Sequence, residues 1–300
     1  MSNERKRNRK DRYDGYYVSD ISSMQKIMPY LMPNRTDNEC LLDYKLDMTE
    51  VVRYVEKKNA EKPEHKYTVF HVIMAALAKL IYLKPRLNYF SSGYRLYERK
   101  DLSFTFVAKN KMEEKADESI LIFKYNRESD VSPIEQVHNF VCGEVYKIRK
   151  HSKKDATTNE IDVIAKLPRF MLKIIFAVLH RMSFYGKLPK IFRPIDPYSS
   201  SVFISNLGSI KMSADYHHLA NWSTNSLFVI IGEMKKQPFF NDDGTYEMKQ
   251  ALNLGVTVDE RIADGFYFAK SIKLLQKILE NPDILDKPVG VPLDFEQEDN

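Results

Sequence analysis

The stretch LGVTVDERIADGFYFAK, residues 254–270, carries a dense group of side chains able to do chemistry. Asp259, Glu260, Arg261, Asp264 and Gly265 sit between a strand-like alternation and a helical one. A corner of that kind is a setting for proton transfer, and Glu260 stands where a general base would be wanted. An unperturbed glutamate has a pKa of about 4.3 and a thiol about 8.5, a mismatch of roughly four units. Burial in an apolar channel raises a carboxyl by up to ~3–5 units, which would bring Glu260 into a base's range. The alternative is that Glu260 pairs with Arg261 or a lysine and does no chemistry.

A second candidate is the pair His217–His218 in SADYHHLANWSTNS. Histidine titrates near neutrality, which suits a base. Adjacent side chains diverge, so at most one of the two faces a given site. A loop contact at a subunit boundary is the other reading of the pair. Apart from Asp215, no Cys, Asp or Glu stands nearby at ligand spacing, so no metal is expected. His71 lies in an apolar helix and reads as a core histidine. Cys40 and Cys142 lack metal spacing and read as reduced structural thiols.

These residues need a frame to hold them. Strand patterns occur in CLLDYKLD, LSFTFVAKN, ESILIFKY, SSVFISNLG, SLFVIIGEM and ALNLGVTVD. Asp-Gly in FNDDGTYEM signals a hairpin between the last two. Helical patterns occupy 47–59, 67–85, the segment opening with the Ser132 capping box, 161–186 with a break at Pro168, and 266–282. The sum is an α/β domain, a mixed β-sheet flanked by helices.

The chain has 300 residues, 43% hydrophobic, with net charge +5. The basic excess concentrates in residues 1–15, read as a disordered tail, and an acidic tail is expected over 286–300. One domain is expected over 16–285. No apolar run reaches the ~18 residues of a membrane span, and no secretory signal opens the chain. A soluble cytoplasmic protein is expected, without a transmembrane segment. Nucleic-acid binding is not expected, because no fold motif accompanies the basic arm. The basic arm together with the helix Lys166–Arg181 leaves a membrane-surface role open.

Four segments in order resemble the catalytic domain of the 2-oxo acid dehydrogenase acyltransferases. YTVFHVIMAALAKLIYLKPRLNYF resembles that family's buried helix with its Pro-x-Leu-Asn ending. SVFISNLGSIKM resembles its Phe-Thr-Ile-Ser-Asn-Leu-Gly segment, and SLFVIIGEM its next strand. VTVDERIADGFYFAKSIKLLQKILENP resembles its Asp-His-Arg-x-x-Asp-Gly corner and terminal helix. Chloramphenicol acetyltransferase shares that fold and the His-x-x-x-Asp-Gly pattern. The match in order and spacing runs over roughly residues 20–282. No lipoyl domain, subunit-binding domain or Ala/Pro-rich linker is recognisable, so no covalent lipoyl group is expected, and residues 150–200 depart from the family pattern.

The resemblance implies a chloramphenicol acetyltransferase-like fold, a homotrimer with interfacial sites, and acyl transfer between a coenzyme A or related thioester and a small-molecule acceptor. It implies that Ser205 donates a hydrogen bond to the tetrahedral oxyanion, with Asn206 and Gly208 turning the chain after it. It puts Glu260 at the position of the family's histidine base, flanked by Asp259 and Arg261 as orienting groups. Asp264 and Gly265 match the closing Asp-Gly. The resemblance implies a salt bridge from Asp264, with Lys26 or Arg35 as its partner, and Gly265 would permit a positive φ or a close helix approach. The competing reading is a catalytically silent trimer that binds a ligand or partner in the old channel.

Overall fold

Period-two alternation brings six segments into one sheet. The computed structural model describes residues 8–109, 118–151 and 165–293. In chain order the principal elements are β1 (Gly15–Tyr17), α1 (Ser23–Leu31), β2 (Glu39–Asp47), α2 (Thr49–Ala60), α3 (Val69–Leu83), β3 (Tyr89–Ser92), β4 (Arg95–Arg99), β5 (Leu102–Lys109), β6 (Glu118–Tyr125), α4 (Pro133–His151), α5 (Arg169–Phe184), β7 (Val202–Asn206), β8 (Leu227–Phe240), β9 (Tyr246–Asp259) and α6 (Gly265–Glu280). The main sheet runs β2-β9-β8-β7-β5-β6. β7 pairs in parallel with both β5 and β8, and the other neighbours are antiparallel. A smaller sheet runs β1-β4-β3.

Alternation assigns the two faces of the main sheet. Val202, Ile204, Leu227, Val229, Leu254 and Val256 face the helices and join the main core. Phe203, Phe228 and Ile230 face the other way, where Leu219 closes a second, smaller cluster over them. α3 is apolar nearly all round and is buried along most of its length, as a central core helix must be.

The ends of the domain reach further than the expected boundaries of 16 and 285. Arg12 is buried, pairs with Asp14 at 2.8 Å and donates to Ser92 Oγ at 2.9 Å. At the other end Val289 and Leu293 are buried, and Lys79 Nζ donates to the carbonyl of Val289 at 2.7 Å. Residues 1–7 and 294–300 of the two expected tails lie outside the described residues, as does the start of the helix expected over 161–186. That helix begins at Arg169, with Pro168 just before its first turn. No helix among the described residues is long and apolar enough to cross a membrane.

Candidate active site

The corner after β9 is braced from both sides. Asp259 is fully buried, and Arg261 grips it through Nε–Oδ1 at 2.8 Å and Nη2–Oδ2 at 2.7 Å. Arg261 Nη1 also reaches the carbonyls of Met32 and Pro33. Arg35 lies 3.4 Å from the same carboxylate through Nε. Its other nitrogens donate to the carbonyls of Ala220, Ser223 and Ser91. Burial pulls the Arg35 guanidinium down to about 10, against the opposing pull of Asp259. Two arginines on one buried carboxylate, tied in turn to two loops and to β3, fix the corner's backbone.

Between these locked neighbours Glu260 faces outward. Its amide donates to the Asn38 carbonyl at 2.9 Å, and its side chain is exposed. The carboxylate makes no hydrogen bond or ion pair among the described residues. Arg261, the cation nearest in sequence, is committed to Asp259 instead. The expected alternative of a Glu260–Arg261 pair is therefore corrected. Burial, and then the Glu260 charge, raise the thiol of Cys40 above its ordinary range.

The salt bridge expected of Asp264 goes to neither Lys26 nor Arg35. Asp264 caps α6 by accepting from the Tyr267 amide at 2.9 Å, and its nearest cation is Arg86 at 3.8 Å. The expected partner Arg35 goes to Asp259, because Asp259 is the carboxylate inside the fold. Gly265 is also corrected. It has no positive φ, and a Cβ there would meet nothing within 4 Å. Its place at the first position of α6 does not require glycine.

Ser205 lies near the end of β7, half-buried, on the sheet face away from the helices. Its hydroxyl has no hydrogen-bond partner among the described residues. Register separates it from Glu260 within one chain. Ser205 is level with Ile230 on β8, and Ile230 with Gly255 on β9. Glu260 is five residues beyond Gly255, about 16 Å along the strand, and two strands across, about 10 Å. The two groups are thus about 19 Å apart in one protomer. Only a second copy of the chain can bring a Glu260 to a Ser205.

The histidine pair sits over the same outer face. The His217 ring stacks on Phe228 at 4.2 Å and 5°. Its Nδ1 lies 2.8 Å from the His218 carbonyl and must donate there, which leaves Nε2 as the lone-pair nitrogen when the ring is neutral. His218 Nδ1 lies 3.3 Å from the Leu219 carbonyl. Phe228 neighbours Phe203, two residues before Ser205 on one face, so His217 is on the order of 10 Å from Ser205. The loop that carries the pair lies directly on strand glycines. A Cβ on Gly232 would come within 2.5 Å of the Ala214 nitrogen, and one on Gly255 within 2.4 Å of the Asp215 oxygen.

Asn206 points to the helix side of the sheet and lines a cavity of about 780 Å³ with Phe106, His71, Cys142 and Ser209. His71 Nδ1 accepts from the Thr68 amide at 2.9 Å, and its other nitrogen lies 3.9 Å from Cys142 Sγ. Burial lowers His71 to about 4, with His138 adding to the effect, and burial raises the Cys142 thiol. A neutral imidazole whose Nε2 carries the proton does not deprotonate that thiol. No cluster of three or more His, Cys, Asp or Glu suited to a metal occurs among the described residues.

Comparison with known proteins agrees with this architecture. Residues 190–285 match the model of the 2-oxoacid dehydrogenases acyltransferase (catalytic domain) family. No curated protein matches the chain. The fold is similar to a probable dihydrolipoamide acetyltransferase of Listeria monocytogenes, at 16% identity and TM-score 0.57 over 89% of this chain and 95% of that one. It is similar to the dihydrolipoamide acetyltransferase of Azotobacter vinelandii, at 16% identity and TM-score 0.56 over 90% and 95%, studied for the role of a serine, a histidine and an asparagine in its catalytic mechanism. A truncated catalytic core of the 2-oxoacid dehydrogenase multienzyme complex of Thermoplasma acidophilum is similar at 14% identity and TM-score 0.53, over 89% and 100%. The chain thus resembles this family of acyltransferase domains and has their chloramphenicol acetyltransferase-like fold.

Proposed function

We propose that this chain transfers an acyl group between a coenzyme A, or related, thioester and a small acceptor, in sites completed by neighbouring copies within a homotrimer. Ser205 supplies the oxyanion hydrogen bond and Glu260 occupies the base position. One observation carries the reading. The corner commits two arginines and a buried aspartate to holding Glu260, whose own carboxylate has no hydrogen bond or ion pair among the described residues. The Azotobacter protein was studied for a serine, a histidine and an asparagine; in this reading Ser205, Glu260 and Asp264 take those places here.

An exposed glutamate is a weak base for a thiol. Catalysis by Glu260 therefore depends on a neighbouring copy burying it, since desolvation raises a carboxyl. His217, with Nε2 open, is the other base within reach of the Ser205 side. The exposure of Glu260 in one protomer favours a second reading, a silent trimer that binds a ligand in the same channel.

Acetyl transfer from acetyl-coenzyme A to a thiol acceptor separates these readings. A working site loses ~10²–10³ in kcat on Ser205→Ala. If Glu260 is the base, Glu260→Gln abolishes activity. A silent wild type rescued by Glu260→His, with a gain of about 10²–10⁴, makes the protein a degenerate transferase. Activity untouched by Ser205→Ala overturns the assignment.

A further inference from the structure

Two helices leave apolar strips uncovered: α1, with Met24, Ile27, Tyr30 and Leu31, and α5. Phe170, Ile174 and Val178 recur at four-residue steps and are 67%, 60% and 53% exposed. Met171 and Tyr185 widen the same strip. The helix is not loosely attached. Leu179 and Ser183 are buried on its opposite side, and Arg12 Nη1 donates to the Ser183 carbonyl at 3.0 Å. Phe176 meets Trp222 edge-on at 5.6 Å. The exposed strip is therefore held in one orientation, pointing away from the body.

Charge runs beside that strip with a single sign. Between Asp162 and Asp196 the chain has seven lysines and arginines and no acidic residue. Arg169 and Lys173 lie along the edge of the helix next to Phe170, and both are exposed. Neither they nor Lys166 makes an ion pair among the described residues. A helix with a bulky apolar strip flanked by cations is built to lie in the headgroup layer of a bilayer. A two-fold contact of this face with itself would bring like charges together, whereas a three-fold contact would set it against a different surface.

We propose that the outward face of α5 seats the protein on an anionic lipid surface. Phe170, Ile174 and Val178 enter the acyl boundary, while Arg169 and Lys173 meet lipid phosphates. The inference is independent of the acyl-transfer reading and rests only on the exposed strip and its charge.

Flotation of the full chain with lipid vesicles tests it. Vesicles of phosphatidylcholine alone are compared with vesicles containing roughly a third phosphatidylglycerol. The expected result is binding to the anionic vesicles only, weakened by salt. Ile174→Glu with Val178→Glu should reduce that binding by roughly tenfold or more, since it removes buried apolar area and adds charge of the wrong sign. Arg169→Glu with Lys173→Glu should do the same. All four positions are exposed, so the variants should keep the wild-type melting profile. Failure of the wild type to float with anionic vesicles overturns the proposal. So does equal flotation of the Ile174→Glu, Val178→Glu variant, which would assign binding to the basic N-terminal residues. A change of oligomeric state in that variant, with flotation unchanged, would instead make the face a contact between copies.

Discussion

His71 measures what burial does to a single group in this protein. It is buried in α3 and held at about 4, mainly by desolvation. The folded state therefore keeps it neutral, while an unfolded chain binds a proton below about 6.5. Between those two values the unfolded state holds more protons, so stability is full above about 6.5 and falls as pH drops toward 4. His71→Gln should remove most of this dependence, because glutamine at the third helical position keeps the capping box with Thr68. Thermal melts at pH 7 and pH 5 check it: the wild type should lose more on acidification than the variant. Parallel losses would show that other groups govern the effect. The same scale shows where sequence reading stops. Glu260 and Ser205 stood out as candidates from their motifs. The second partner of Asp259, beside Arg261, did not, because Arg35 lies 224 positions earlier and no local pattern marks it. Assigning Arg35 to Asp264 chose the right arginine and the wrong carboxylate, since only burial distinguishes Asp259 from an exposed helix cap.

At the scale of elements, period-two alternation exposed all six strands of the main sheet, and helical periodicity marked five helices but not α1, despite its Ser22–Gln25 capping box. The small sheet escaped notice because its strands have only 3, 4 and 5 residues, too short to show a period. Its one strong signal was Gly93-Tyr94, both at positive φ, which is a primed hairpin turn between β3 and β4. The outer face of the main sheet was equally hidden. Nothing local says that the 214–219 loop lies on β8 and β9, yet Gly232 and Gly255 are the places where its backbone touches. Gly255→Ala should therefore cost about 1–3 kcal/mol, since the new methyl meets the Asp215 carbonyl and the loop must lift. Gly143→Ala in α4 is the matched control. Its Cβ meets nothing within 4 Å, so it should stabilise by roughly 0.5–1 kcal/mol. Urea denaturation of the two variants reads both signs, and a neutral Gly255→Ala would mean the loop is not seated there.

For the whole molecule, the separation of Ser205 from Glu260 decides how many chains make one site. About 19 Å is too far for one substrate-sized gap, so a working site must take its serine from one copy and its glutamate from the next. Mixing experiments convert that geometry into a number. Ser205→Ala chains still carry Glu260, and Glu260→Gln chains still carry Ser205. Each alone should be inactive if the proposed roles hold. Unfolded together in equal amounts and refolded, they would form mixed trimers under the proposed assembly. An interface is intact only when the serine side comes from one variant and the glutamate side from the other. Random assembly makes that true for one choice in two on each side, so about a quarter of wild-type activity should return. Wild type carried through the same refolding sets the reference, and each variant refolded alone sets the floor. Recovery near a quarter requires sites shared between copies. Recovery no higher than the floor, from mixtures that light scattering shows to be trimers, would mean that serine and base come from a single chain. Should Glu260→Gln alone keep its activity, His217, stacked near Ser205 in the same protomer, would replace Glu260 as the candidate base.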